Sequence, residues 1–266
     1  MGMYRGRAAT YALLALVFGG LSYAVGVGSL LGQRAEASVL EAASFTYDPP
    51  APLSLVSVPA IIVVLLLLGG LALWVHGSRR AIGVVVIPTI AIVVSQLLKQ
   101  RVLERPGLFE LDAENTFPSG HMTVFTVACA AFIWSVPRAL QPAAAVLGAI
   151  VTGIAAWQLL EFGWHRPSDL IGALSLGVLV FAVAALLRPR PASRASRATP
   201  RFIAGMNKIL GVLLTIAGVT LVAGGLALTV AAGWFTSAEL MIAGAQVALV
   251  GASALASRAF LALSPA

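Results

Sequence analysis

Charged side chains are scarce in this chain. Asp, Glu, Lys and Arg make up 10% of its 266 residues against 59% hydrophobic ones, and the mean hydropathy is +0.96. A water-soluble domain carries about 25% charged residues, so the composition excludes one and defines an integral membrane protein. Cysteine is nearly absent: the single Cys129 lies inside an apolar run, which excludes a disulfide framework and a Cys-based metal site. Histidine is almost as rare, with only His76, His121 and His165. Acids are outnumbered, ten against 17 basic residues, for a net charge of +7 and a pI of about 10.5. That excess does not call for nucleic acid, because the basic residues fall in short loops beside apolar segments, where the inner face of a membrane accounts for them.

What the chain has in abundance is long apolar runs. Eight are long enough to span a bilayer, at 8–32, 53–76, 81–98, 119–136, 142–160, 169–187, 207–232 and 238–261. Runs apolar on every side satisfy their backbone in lipid only as helices, so the expected fold is an all-α, polytopic membrane helix bundle. With the N-terminus inside, the inner segments hold 12 of the 17 basic residues and none of the ten acids. Both termini are therefore expected to be cytoplasmic. Five basic residues, Arg34, Lys99, Arg101, Arg105 and Arg166, remain on the outer side against this trend and need another reason to be there. The basic start "MGMYRGR" and the "AEA" at 35–37 imitate a signal peptide. The apolar stretch is about 24 residues, longer than the roughly 7–15 of a signal peptide, which favours a retained span.

The segment "RPRPASRASRATPR" at 188–201 has no periodicity and reads as part of a basic cytoplasmic linker, 188–206. It divides a six-span part, 1–187, from a two-span extension, 207–266. In the last span Gly244, Ala248, Ala252 and Ala256 recur every four residues, a pattern for close helix packing. A sharper role for that stripe is lipid or partner binding, with a homo-oligomer through the last two spans as the partner.

Polar residues gather at one membrane face in three clusters, "KQRVLERP" at 99–106, "PSGH" at 118–121 and "HRPSD" at 165–169. Each lies where an outer loop meets a span, so a bundle brings them to one pocket, and ionisable residues there point to function. Lys99 and Arg105 offer fixed positive charge, and the guanidinium fork matches phosphate oxygens. Pro106 forces Arg105 out of helical conformation and so ends the span. Ser119 and Gly120 open a helix whose unpaired N–H groups favour an anion. Two histidines beside such a cradle suit a two-step displacement on phosphorus, one as nucleophile and one as acid. Asp169, four residues after His165, is placed to hold that ring in one tautomer. His165 is thus the better nucleophile candidate and His121 the better acid. His76, on the inner side beside "GSRR", reads as an interfacial residue without chemistry.

These motifs, in this order, resemble those of the type 2 phosphatidic acid phosphatase (PAP2) superfamily, integral-membrane lipid phosphatases that share their site with vanadium haloperoxidases. The resemblance covers roughly 50–190. Lys99, Arg105 and Pro106 match the first motif, with five intervening residues in place of six. Pro118, Ser119, Gly120 and His121 match the second in full. His165 and Asp169 match the end of the third, whose opening Ser-Arg is replaced by Gln158 and Leu159. The resemblance implies a six-helix core, a covalent nucleophile at His165, no metal and no other cofactor. It also implies a phosphate-binding arginine where Leu159 stands, and Arg166 or Arg101 is expected to supply that charge. The substrate class is a membrane lipid phosphate: a polyprenyl pyrophosphate, phosphatidate or phosphatidylglycerophosphate. Alternatives are phosphotransfer to another acceptor through the same site, and a non-catalytic lipid-phosphate binder or transport component.

Overall fold

The computed structural model describes residues 2–109, 113–188 and 201–264. Among them nine α-helices and no strands occur: α1 (Gly2–Ser22), α2 (Leu30–Glu41), α3 (Val58–His76), α4 (Ser78–Leu97), α5 (Gly120–Ser135), α6 (Gln141–Glu161), α7 (Pro167–Leu187), α8 (Arg201–Phe235) and α9 (Ala238–Leu263). Seven helices are long and apolar enough to cross a membrane. The eighth expected span, α5, has 16 residues, about 24 Å against a hydrocarbon core of roughly 30 Å. Its N-terminus is recessed within the bundle, with Ser119 at the cap and Met122 in the first turn fully buried. Serine caps set several starts: Ser29, Ser57, Ser119 and Ser237 each accept a backbone N–H from the first turn.

The first expected span, 8–32, does not run through. The helix widens to a π-turn at Tyr23–Val27, stops at Gly28, and restarts behind the Ser29 cap as α2. Hydropathy missed this break because Leu30 and Leu31 prolong the apolar run while the buried face of α2 carries Gln33, Glu36 and Val39. A second π-turn, Leu98–Val102, extends α4. The expected basic linker falls largely on 189–200, outside the described residues, and α8 begins at Arg201 rather than at 207.

Helices α5, α6, α7 and α9 bury most of the core, and α1, α3, α4 and α8 expose apolar faces toward lipid. At the junction of α5, α7 and α9, Trp134 meets Phe181 at 4.7 Å and Phe181 meets Phe260 at 5.3 Å, both edge to face. Trp134 Nε1 donates to the Phe260 carbonyl at 3.1 Å. The last pair of helices is thus built against the motif-bearing ones. The small-residue stripe of α9 packs on α8 of the same chain: a Cβ on Gly244 would lie 2.7 Å from the Gly225 carbonyl oxygen.

Candidate active site

The third cluster is shaped by how α6 ends and α7 begins. Gly163 takes the left-handed backbone (φ 67) just past the last turn of α6. Its N–H bonds Leu160 O at 3.0 Å, and the Trp164 N–H bonds Leu159 O at 3.1 Å. This Schellman closure reverses the chain and leaves His165, whose own N–H also reaches Leu159 O at 3.2 Å, facing the cradle. Pro167 then opens α7. Asp169 sits in that first turn, where the helix dipole favours a carboxylate.

Asp169 is fully buried, and three donors converge on its Oδ2: Thr116 Oγ1 at 2.6 Å, the Arg166 N–H at 3.1 Å and His165 Nδ1 at 3.2 Å. An ionised carboxylate only accepts. In its neutral form His165 therefore carries its proton at Nδ1 and offers the Nε2 lone pair. His121 stands across from it with ring centroids 6.3 Å apart, its ring edge-on to Trp164 at 5.4 Å. Lys99 lies close enough to His121 for its charge to act on that ring.

Most of the expected residues converge. Arg105 lies in the extended stretch after the π-turn, with its side chain 1% exposed. Asn115 ties this stretch to the second motif, donating from Nδ2 to the Leu103 carbonyl at 2.7 Å and to that of Lys99 at 3.2 Å, while accepting the Phe117 N–H at 3.1 Å. Ser119 corrects one expectation: its N–H already bonds the Asp169 carbonyl at 3.0 Å and its hydroxyl caps α5. The anion-facing donors of this helix start are left to Gly120 and His121, which have no carbonyl one turn behind them. At Gly120 a Cβ would lie 2.8 Å from Gln96 Nε2, so the Gln96 side chain packs against this helix start. Arg166 is half-buried and caps α7, whereas Arg101 is exposed and no described hydrogen bond or ion pair of its side chain ties it to the cradle. Leu159 is fully buried in the core. His76 is at the opposite end of the bundle, bonded to the Val136 carbonyl at 3.0 Å.

Four residues near the site were not anticipated. Asn115 and Thr116 directly precede "FPSGH", and both are residue types that bond nearby backbone in turns. Gln33 and Glu36 come from α2. Gln33 Nε2 donates to the Pro106 carbonyl at 2.7 Å, and its Oε1 accepts the Phe109 N–H at 3.0 Å. Glu36 pairs with Arg105 at 3.7 Å and accepts the Ser168 N–H at 2.9 Å. Burial raises the Glu36 carboxyl above its ordinary pKa, and nearby Asp169 adds to this, while Ser168 and Arg105 pull it down.

The fold is that of an integral membrane protein, and it brings two histidines, an aspartate and a buried arginine together at one end of the bundle, groups of the kind that phosphoryl chemistry uses. The PAP2 superfamily model matches residues 8–193, and the chain belongs to that superfamily, whose members are generally phosphatases. The match takes in α1 and α2 as well as the motif-bearing helices, and leaves α8 and α9 outside. No curated protein and no solved structure matches the chain.

Proposed function

We propose that the protein is a lipid phosphate phosphatase working at the outer membrane face through a phosphohistidine on His165. The observation that carries this is the His165–Asp169 pair facing His121 across a gap that one phosphoryl group can bridge. His165 Nε2 attacks phosphorus as the bond to the lipid oxygen breaks, and protonated His121 gives its proton to that oxygen. Asp169 offsets the positive charge arising on His165. Water then attacks the phosphohistidine, His121 takes a proton back, the P–N bond breaks and inorganic phosphate leaves. Lys99, Arg105 and the Gly120 N–H hold the equatorial oxygens, where charge accumulates. Arg166, adjacent to His165 and half-buried, is the better-placed stand-in for the arginine replaced by Leu159; exposed Arg101 is the weaker one.

An amphiphilic substrate is supported by the surroundings. An apolar cavity of ≈ 430 Å³ lies among α3, α5 and α6, lined by Ile61, Leu65, Val124, Phe125, Ala128 and Leu147. Val124 and Phe125 follow His121 by one helical turn, so a lipid chain can lie beneath a headgroup held at the histidines. The outer-face assignment rests on the charge asymmetry of the loops.

The test is phosphate release from a panel of lipid phosphates by purified protein in detergent with EDTA, beside trapping of labelled phosphate. Wild type is expected to turn over and to take label at His165, and His165→Ala to do neither. Turnover retained in His165→Ala would overturn the mechanism. Arg166→Gln should raise KM, and unchanged kinetics in it, in Arg101→Gln and in the double variant would remove both stand-ins. The buried Leu159 favours one rival reading, a non-catalytic lipid-phosphate binder. Saturable vanadate binding with no turnover and no label on any substrate would decide for it.

A further inference from the structure

Helix α2 lies outside all three motifs, yet it places a buried carboxylate between two of them. Glu36 is 6% exposed. Its Oε2 faces Arg105 Nη1 at 3.7 Å, and its Oε1 accepts the Ser168 N–H at 2.9 Å, one residue from Asp169. The fit is tight from below as well: a Cβ on Gly26 would meet Glu36 Oε1 at 3.0 Å and the Ser168 Cβ at 2.5 Å. One turn earlier, Gln33 holds the same 103–109 stretch through the Pro106 carbonyl and the Phe109 N–H. A buried carboxylate is costly in a membrane protein unless its partners compensate, and α2 aims this one at the residue proposed to bind phosphate.

From this geometry we infer that Glu36 is a positioning residue, which holds the Arg105 guanidinium in register with the first turn of α7 and hence with the His165–Asp169 pair. It touches no reacting atom and acts through Arg105. The inference rests on the phosphatase reading for what Arg105 binds, but not for the coupling between Glu36 and Arg105. A fixed Arg105 meets the phosphoryl oxygens in the orientation they take during transfer, so losing Glu36 lowers kcat more than it weakens ground-state binding. The same carboxylate competes with phosphate for Arg105. Removing its charge therefore tightens anion binding. The charged groups facing Glu36 are Arg105 from the loop and Asp169 from α7.

The experiment is a double-mutant cycle on the full chain, Glu36→Gln against Arg105→Ala, since Gln can still accept from the Ser168 amide. In the wild-type background Glu36→Gln is expected to lower kcat roughly tenfold to a hundredfold with KM unchanged or reduced. In the Arg105→Ala background the same change is expected to have no further effect. Equal losses in both backgrounds would show a merely structural role and overturn the inference. Vanadate binding, read as a thermal shift, gives a second cycle that needs no turnover: Glu36→Gln should enlarge the shift while Arg105 is present and leave it unchanged in Arg105→Ala. An equal or smaller shift in Glu36→Gln, or the same enlargement without Arg105, overturns it. If wild type releases no phosphate, the phosphatase reading fails while this binding cycle still decides the role of Glu36. Should Glu36→Gln not fold, Glu36→Asp, with its charge drawn back from Arg105, goes through both cycles, and additive effects there likewise overturn the coupling.

Discussion

Asp169 Oδ2 receives the His165 ring, the Thr116 hydroxyl and the Arg166 amide, so one atom fixes the tautomer of His165, the proposed nucleophile, and also caps α7. Asp169→Asn separates the two duties. The amide can still accept the Arg166 N–H from its oxygen, but it turns an N–H toward Nδ1 or loses the charge that stabilises the imidazolium. Turnover is expected to fall on the order of 10⁴-fold with melting little changed; a fall of less than tenfold in a lipid phosphate assay would deny Asp169 this role. At this level the sequence was most legible where spacing is local. A His and an Asp four residues apart can meet across a short turn at a helix start, so the His165–Asp169 pair is legible from spacing alone. Thr116, 53 residues away, is not, because no local spacing forecasts a bond made across the bundle.

Turns decide how those residues are presented. At φ 67, Gly163 occupies the backbone region that L side chains avoid, and a Cβ there would strike the Phe45 ring. Gly163→Ala is expected to cost about 1–2 kcal/mol from the left-handed backbone alone, plus the displacement of Phe45. It should also loosen the Schellman closure that aims His165. A lowered Tm in detergent together with reduced kcat is the expected result, and wild-type values of both would show the closure to be dispensable. Gly163 falls in the gap between the expected spans 142–160 and 169–187, and apolar runs do not reveal which conformation a residue there takes. Helix α2 illustrates the opposite limit. Its buried face is polar, with Gln33 and Glu36 turned inward and Leu31 exposed, so reading apolar runs assigned its start to the preceding span and its remainder to a loop. The physical reason is that its inward face meets backbone carbonyls, an amide and a guanidinium in place of a hydrocarbon core.

The eight apolar runs, and so the class of fold, could be read from hydropathy because lipid leaves the backbone no choice but to be helical. How the last two helices join the rest could not, since small residues that pack inside one chain look the same as small residues that pack between chains. Here they pack inside: Gly225 of α8 and Gly244 of α9 leave no room for a Cβ between the two helices. Helix α9 in turn lies against the motif-bearing helices. Gln246 donates to Glu161 at 2.8 Å at the end of α6, and the Phe260 carbonyl accepts from Trp134 on α5. A chain ending at Arg188 keeps every motif residue but loses these bonds. It leaves the buried Trp134 N–H without its acceptor, at a cost of about 1–3 kcal/mol, and it strips the Phe260 ring from Phe181. Such a chain is expected to give little monodisperse protein on size exclusion in detergent, and what remains should melt well below the full-length protein and turn over more slowly. A truncated protein with full-length melting and full activity would make α8 and α9 an appendage. Loss of both instead makes α9 a structural wall of the site, which reaches the histidines through α5, α6 and α7.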